Sequence, residues 1–211
     1  MQGMYEVTGW VGGSRVEGDP AAIARLQRSS AHYFQRPDQD HVSYEADRTT
    51  ITGFSGSVRL DKNAGRFTLG GIQLSTRSPG FDINDAGQMR SGDDIDFNAD
   101  IQLRDTKPRK LVRFFQFGTS TNLGWNYGGL RQYANLTQTG TVTLHNFWRV
   151  SANARRHFGS LSDDLTRGGP LMGTPDAYSG RLTVASRGNV PIVWSARAEY
   201  FEDSFDGWRF D

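Results

Sequence analysis

Cysteine is absent from the 211 residues. That removes a disulfide framework, thiolate metal sites and a cysteine nucleophile. No run of about 18 apolar residues occurs, which excludes a transmembrane helix. Neither sign of charge dominates. The net value is +1, so no global field selects nucleic acid or acidic lipid, and the doublet Arg155-Arg156 is too short for a nucleic-acid surface. Lysine is scarce, three residues against 21 arginines. Arginine suits bidentate pairing with carboxylate or phosphate, although codon bias explains the skew equally well. Gly53-Phe54-Ser55-Gly56 falls short of a Gly-x-Ser-x-Gly nucleophile elbow, and no phosphate loop is found. His32, His41, His145 and His157 are scattered, with no pair at metal-ligand spacing. No cofactor, metal or catalytic residue is therefore expected. Met1 runs into the first strand at Tyr5 with no signal peptide before it. An exported barrel needs one, so a longer parent chain or a displaced start is expected.

What the chain does have is 25 glycines, 12% aromatics and nine stretches in which apolar and polar side chains alternate. That composition suits a turn-rich sheet rather than a helical bundle. The clearest stretch is Asp94 to Arg104. Ile95, Phe97, Ala99, Ile101 and Leu103 fall on one face, and Asp94, Asp96, Asn98, Asp100, Gln102 and Arg104 on the other. A period of two this strict predicts a strand with one dry and one wet side. Phe115 to Tyr127, Tyr133 to Leu144, Trp148 to Arg155, Tyr178 to Val184 and Ile192 to Tyr200 repeat it. Three earlier stretches, around Tyr5–Ser14, Phe54–Leu60 and Phe67–Leu74, are less regular. In the last of them a phase change across Gly70-Gly71 reads as a bulge.

The connections alternate in length. Asp61–Gly65, Asp105–Lys110, His145-Asn146 and Arg187–Asn189 are short and share one rim. The other rim holds Glu17–Asp47, Ser78–Asp93, a Gly128-Gly129 tip and Gly159–Asp176. Within the first long loop, Asp19 and Pro20 predict a helix continuing through Ala21–Tyr33 and ended by Pro37. Its apolar edge, Ile23 and Leu26, suits a plug or packing element. The predicted fold is all-β: an antiparallel up-and-down meander of about nine long strands with one short helix in a long loop, forming a transmembrane β-barrel or an open part of one across residues 1–211. Short turns on one rim and long loops on the other are how membrane barrels are built. Trp125, Tyr127, Trp148, Tyr178 and Tyr200, near strand ends, suit interfacial aromatic girdles.

Several loop segments form a pattern in fixed order: Tyr33-Phe34-Gln35-Arg36-Pro37-Asp38, Ser78-Pro79-Gly80-Phe81-Asp82-Ile83-Asn84-Asp85-Ala86-Gly87, Gly124-Trp125-Asn126, Asn146-Phe147-Trp148 and Thr166-Arg167-Gly168-Gly169-Pro170. Together they resemble the uncharacterised C-terminal barrel domain of bacterial outer-membrane proteins that carry an N-terminal family-nine-like carbohydrate-binding domain. The resemblance implies the outer membrane of a Gram-negative bacterium, a lipid-bilayer partner, a link to saccharides, and further strands of a longer parent protein. It brings no catalytic residue with it.

Candidate functional residues lie on the loops and the wet faces. Phe81, Asp82, Asn84, Asp85, Arg167, Gly168 and Gly169 are candidates for ligand contact or loop anchoring, with Arg167 favoured as a tether to Asp82 or Asp85. Asp82, Asn84, Gly87 and Asp93 imitate a calcium loop in part, but Ala86 breaks the ligand pattern, and a turn held by Asx hydrogen bonds is the favoured alternative. Asp94, Asp96, Asp100, Arg149, Arg155, Arg181, Arg197 and Glu199 are the lumen-facing candidates. Asp94, Asp96 and Asp100 share a face closely enough for paired-carboxylate glycoside hydrolysis, and an ion-pair lattice needs the same residues. The expected function is uptake or capture of a ligand such as a saccharide at the long-loop rim, with no nucleic-acid partner. A soluble carbohydrate-binding β-sandwich and, behind it, a glycoside hydrolase are the rivals.

Overall fold

The computed structural model describes residues 3–84, 87–188 and 191–210. One antiparallel sheet dominates. It runs β1 (Tyr5–Glu17), β2 (Thr50–Lys62), β3 (Thr68–Arg77), β4 (Asp94–Asp105), β5 (Val112–Trp125), β6 (Arg131–Leu144) and β7 (Arg149–Phe158), then β10 (Ala177–Ala185), β11 (Ser195–Asp203) and the short β12 (Trp208–Phe210). All nine stretches of period two have become strands, each beside its neighbour in sequence. A separate two-stranded ribbon, β8 (Ser160–Ser162) with β9 (Met172–Thr174), sits inside the loop between β7 and β10. Neither it nor β12 shows in the sequence pattern, because three residues are too few to count an alternation.

Residues directly opposite each other in an antiparallel pair project to the same side, so the registers trace each face across the whole sheet. Val7, Leu60, Ile72, Ala99, Thr121, Leu136, Arg156 and Tyr178 follow one row of register partners across eight strands. The other face is polar throughout its middle. The apolar face is uncovered: Val11 is 82% exposed, Val7 69%, Ile101 54% and Ile72 50%. Ile95, Phe97 and Leu123 are half-buried by their own neighbours, and Trp194 is exposed. Strands contact their ladder neighbours, with β8 laid against β6, and no second sheet stacks on the apolar face among the described residues.

The loops between the strands have unequal lengths on the two rims, as the sequence anticipates. The short rim carries residues 63–67, 106–111, 145–148 and 186–194, and the long rim residues 18–49, 78–93, 126–130 and 159–176. At the short rim the rings of Trp148 and Trp194 meet edge to face, 5.0 Å between centroids. The Arg187–Asn189 turn is wider than anticipated, because β11 starts only at Ser195 and the main chain closes through Ser186 N–H to the Trp194 carbonyl at 2.9 Å. Asn189 lies outside the described residues.

Two expectations need correction. The helix α1 covers Pro20–Gln27 rather than running to Tyr33. Ser29 and Ser30 follow it, residue types that compete for backbone hydrogen bonds, and Phe34 N–H turns back to the Gln27 carbonyl at 2.9 Å. The buried Gln27 amide then pairs with the Glu45 main chain in both directions, at 2.8 and 2.9 Å. Gly70-Gly71 makes no bulge. The register of β3 with β2 and β4 runs through it unbroken, and Leu69 simply lies on the polar side. The glycines serve close approach instead. A Cβ on Gly71 would lie 2.4 Å from Asp61 Oδ1 and 2.9 Å from Arg59, so bare backbone there lets Arg59 cross β3 to Asp100 on β4 at 3.4 Å.

Candidate functional site

The long-rim loops fold over the polar face of the sheet. Val16 and Ile51 are register partners on that face and form its apolar corner. Ile23 of α1 and Phe34 pack there with Ile51 in a buried cluster, and Val16, Leu26, Val42 and Tyr44 surround it. The helix is thus a packing element seated on the sheet. The 78–93 loop comes down beside it at Gly53, where an added Cβ would fall 2.0 Å from the Phe81 nitrogen. Ser14, also on the polar face, accepts the Asp82 N–H at 2.9 Å. Phe81 is buried with Ala31 and Met89, which joins the first loop to the second.

Asp82 and Asn84 have structural partners. Asp82 Oδ1 accepts the Asn84 N–H at 2.9 Å, and Asn84 Oδ1 accepts the Met89 N–H at 2.9 Å, an Asx turn as the alternative to a calcium loop requires. The other Asp82 oxygen meets His32 Nε2 at 3.0 Å, while His32 Nδ1 lies 2.8 Å from the Pro79 carbonyl. Among the described residues no group of three or more acidic or histidine side chains could hold a metal. Asp85 lies outside the described residues.

The tether between loops is Arg36, which the sequence reading quotes within a motif but gives no role. Its side chain is 6% exposed and spans two buried carboxylates, Asp93 at 2.8 Å through Nη2 and Asp163 at 2.6 Å through Nη1. His41 Nε2 approaches the same Asp93 oxygen at 2.8 Å. The Tyr127 N–H donates to Asp93 at 3.0 Å. Asn126 and Gln132 donate to Asp163 at 3.0 and 2.8 Å. The four long-rim connections from β1 to β10 therefore meet in one network around this guanidinium. Of the two partners expected for Arg167, Asp82 is taken by His32 and Asn84 and Asp85 lies outside the described residues; Arg167 holds a positive φ of 55° and turns its N–H to the Asp164 carbonyl at 2.9 Å. Gly168, φ 92°, lets this loop touch the first one, since a Cβ there would lie 2.2 Å from the Gln35 amide. Gly169 closes the turn onto the Thr166 carbonyl. The Tyr33–Asp38 and Thr166–Pro170 motifs are thus packed on each other, and only their shared order along the chain hinted at that.

Every wet-face strand residue singled out from the sequence lies on the polar face. Asp94 pairs with Arg77 at 2.8 Å, Asp96 accepts the Tyr133 hydroxyl at 2.5 Å, and Asp100 faces Arg59. The three carboxylates thus have three different cross-strand partners. Further along, Arg181 and Arg197 lie 2.9 and 3.7 Å from Glu199, and Arg155 reaches Thr137 at 3.3 Å. Arg149 shares this face opposite Thr143. Charge is sorted along the sheet. On β1–β4 the polar face carries Glu6, Asp61, Asp94, Asp96 and Asp100 against Arg59, Arg77 and Arg104. On β7–β12 it carries Arg149, Arg155, Arg181, Arg197 and Arg209 against Glu199 and Asp203. Between them β5 and β6 present only uncharged side chains on this face, from Gln116 to Asn122 and from Tyr133 to Thr141.

The geometry defines a single-layer antiparallel β meander whose long loops are locked together over its polar, charge-sorted face. The chain belongs to the DUF5916 family, a domain of unknown function, whose pattern matches residues 20–202. No curated protein and no solved structure matches it.

Proposed function

We propose that the sheet is part of the wall of an outer-membrane β-barrel of a Gram-negative bacterium, where it captures or admits a hydrophilic solute, a saccharide in the first instance, at the long-loop rim. The apolar face would meet lipid and the polar face would line the enclosed space. The observation that carries this reading is the uncovered apolar face opposite a polar face onto which the loops fold. In a water-soluble sandwich the apolar side is the one that is covered, whereas in a membrane barrel it faces outward. Apart from the three-residue β12, the main-sheet strands of nine to fourteen residues meet the length of about 9–11 residues that a tilted membrane strand needs. The outer edges of β1 and β12 have no strand partner among the described residues, so a closed wall requires strands beside both. The proposal gives Asp94, Asp96 and Asp100 no hydrolytic part, since they sit in an ion-pair and hydrogen-bond lattice.

The absence of cysteine makes the test clean. Ser57→Cys and Val58→Cys place single thiols on the polar and apolar faces of β2. In lipid vesicles a membrane-impermeant maleimide is expected to label position 57 at least tenfold faster than position 58, and a lipid-soluble maleimide to reverse the order. A chain that stays monodisperse in buffer without detergent, with position 58 unreactive to both reagents, would overturn the proposal in favour of a sandwich.

A further inference from the structure

One row of register partners crosses the polar face: Trp10 on β1, Ser57 on β2, Ser75 on β3 and Asp96 on β4. Neighbouring strands stand about 4.8 Å apart, so the two ends of the row are about 14 Å apart. Small side chains between a large aromatic and a carboxylate leave a trough. The structure has a cavity of about 510 Å³ there, with Trp10 and Asp96 among its lining residues and Phe81 and Met89 of the 78–93 loop alongside them.

Two features of the trough are unusual for a sheet surface. Trp10 is the one aromatic on the polar face of β1–β4 among the described residues, and it is 58% exposed. Asp96 has no cationic partner among the described residues. Its hydrogen bond comes from the neutral Tyr133 hydroxyl, and Arg77 is committed to Asp94. Tyr133 reaches Asp96 by lying over Gly124, where a Cβ would stand 2.2 Å from its ring. The row thus ends in a carboxylate that lines the cavity, hydrogen-bonded to a neutral hydroxyl and in no ion pair among the described residues.

We propose that this trough binds a small polyhydroxylated solute carrying one ammonium group. The ammonium pairs with Asp96, a charge-assisted contact of the stronger kind. Ser57, Ser75 and Gln73 supply hydroxyl and amide partners along the floor. The indole of Trp10 takes the least polar face of the ligand, as amphipathic aromatics do. The proposal rests on the solute-capture reading and gives it a place and a charge. It is independent of whether the apolar face meets lipid.

The test is calorimetric titration of the full chain refolded in detergent, with glucosamine, glucose and N-acetylglucosamine as probes. Glucosamine is expected to bind at least tenfold more tightly than N-acetylglucosamine at neutral pH. Asp96→Asn should reduce that preference to within twofold, and Trp10→Ala should weaken all three sugars. Tyr133→Phe removes the neutral donor from Asp96 and leaves its charge, so it should tighten glucosamine two- to threefold. It also keeps the proposal testable if Asp96→Asn fails to fold. Equal binding of the aminated and acetylated sugars, a preference that survives Asp96→Asn, or no binding of any probe would each overturn it. Failure of the membrane reading appears in the labelling experiment, whereas failure of this proposal appears in the titration.

Discussion

Replacing Arg36 by Met removes the cation between Asp93 and Asp163 while filling most of its volume. The carboxylates left behind have side chains only 5% and 6% exposed. Breaking a buried ion pair by taking away one partner costs about 3–5 kcal/mol, because a charge is left without compensation. Here the local hydrogen bonds from Tyr127, Asn126 and Gln132 remain, which places the expectation at the lower end, about 3 kcal/mol. The sheet ladders do not pass through this network, so the loss should fall on the loop rim. A change of 3 kcal/mol raises the open population of the loops by roughly 10²-fold. Hydrogen exchange followed by mass spectrometry should show it as faster exchange in residues 30–41, 88–93 and 159–171, with the centres of β3–β6 unchanged. Arg36→Lys should rescue little, because one ammonium cannot present two separate Nη groups to two carboxylates. Adding Asp93→Asn and Asp163→Asn to Arg36→Met should recover part of the protection, since the stranded charges are then gone. A rate change in those loops below about threefold for Arg36→Met would refute the idea that this guanidinium holds the rim together.

Two further substitutions probe the loops at other points. Gly53→Ala drives a methyl group to within 2.0 Å of the Phe81 nitrogen. It should destabilise the seat of the 78–93 loop by about 1–3 kcal/mol, read as faster exchange at Phe81 and Asp82, and unchanged exchange there would contradict the packing described. Arg167→Gly relieves a positive φ of 55°, which costs a non-glycine residue about 1–2 kcal/mol. It should raise the thermal midpoint slightly, whereas a fall would restore Arg167 as an anchor.

Strands and faces were legible because a period of two is a local property. Ile95 to Arg104 states its own two sides, and the registers in the structure align those sides from β1 to β11, with Arg156 and Glu202 among the charges that fall on the apolar side. The loops are different. That Asp93 would meet Arg36, 57 residues away, is a matter of three-dimensional closure, to which periodicity is blind. Arg167 drew attention because two glycines follow it, yet Gly168 serves close packing against Gln35 and Gly169 closes the turn onto Thr166. Gly70-Gly71 misled for a related reason. Glycine in a strand signals either a bulge or a near approach of other atoms, and only the position of Arg59 and Asp61 decides between them. The unmatched charge of Asp96 was equally hidden, because the acids beside it in sequence are paired and it is not.

The outer flank of β1, without a strand partner among the described residues, has a consequence for handling the molecule. Thirteen residues offer a row of unsatisfied amides and carbonyls, with no proline or lysine to repel a visitor. Such a flank templates any extended chain that meets it, and the nearest one in a purified sample is another molecule of the same sequence. Dilution, rather than salt or pH, should then govern how long the isolated material stays dispersed.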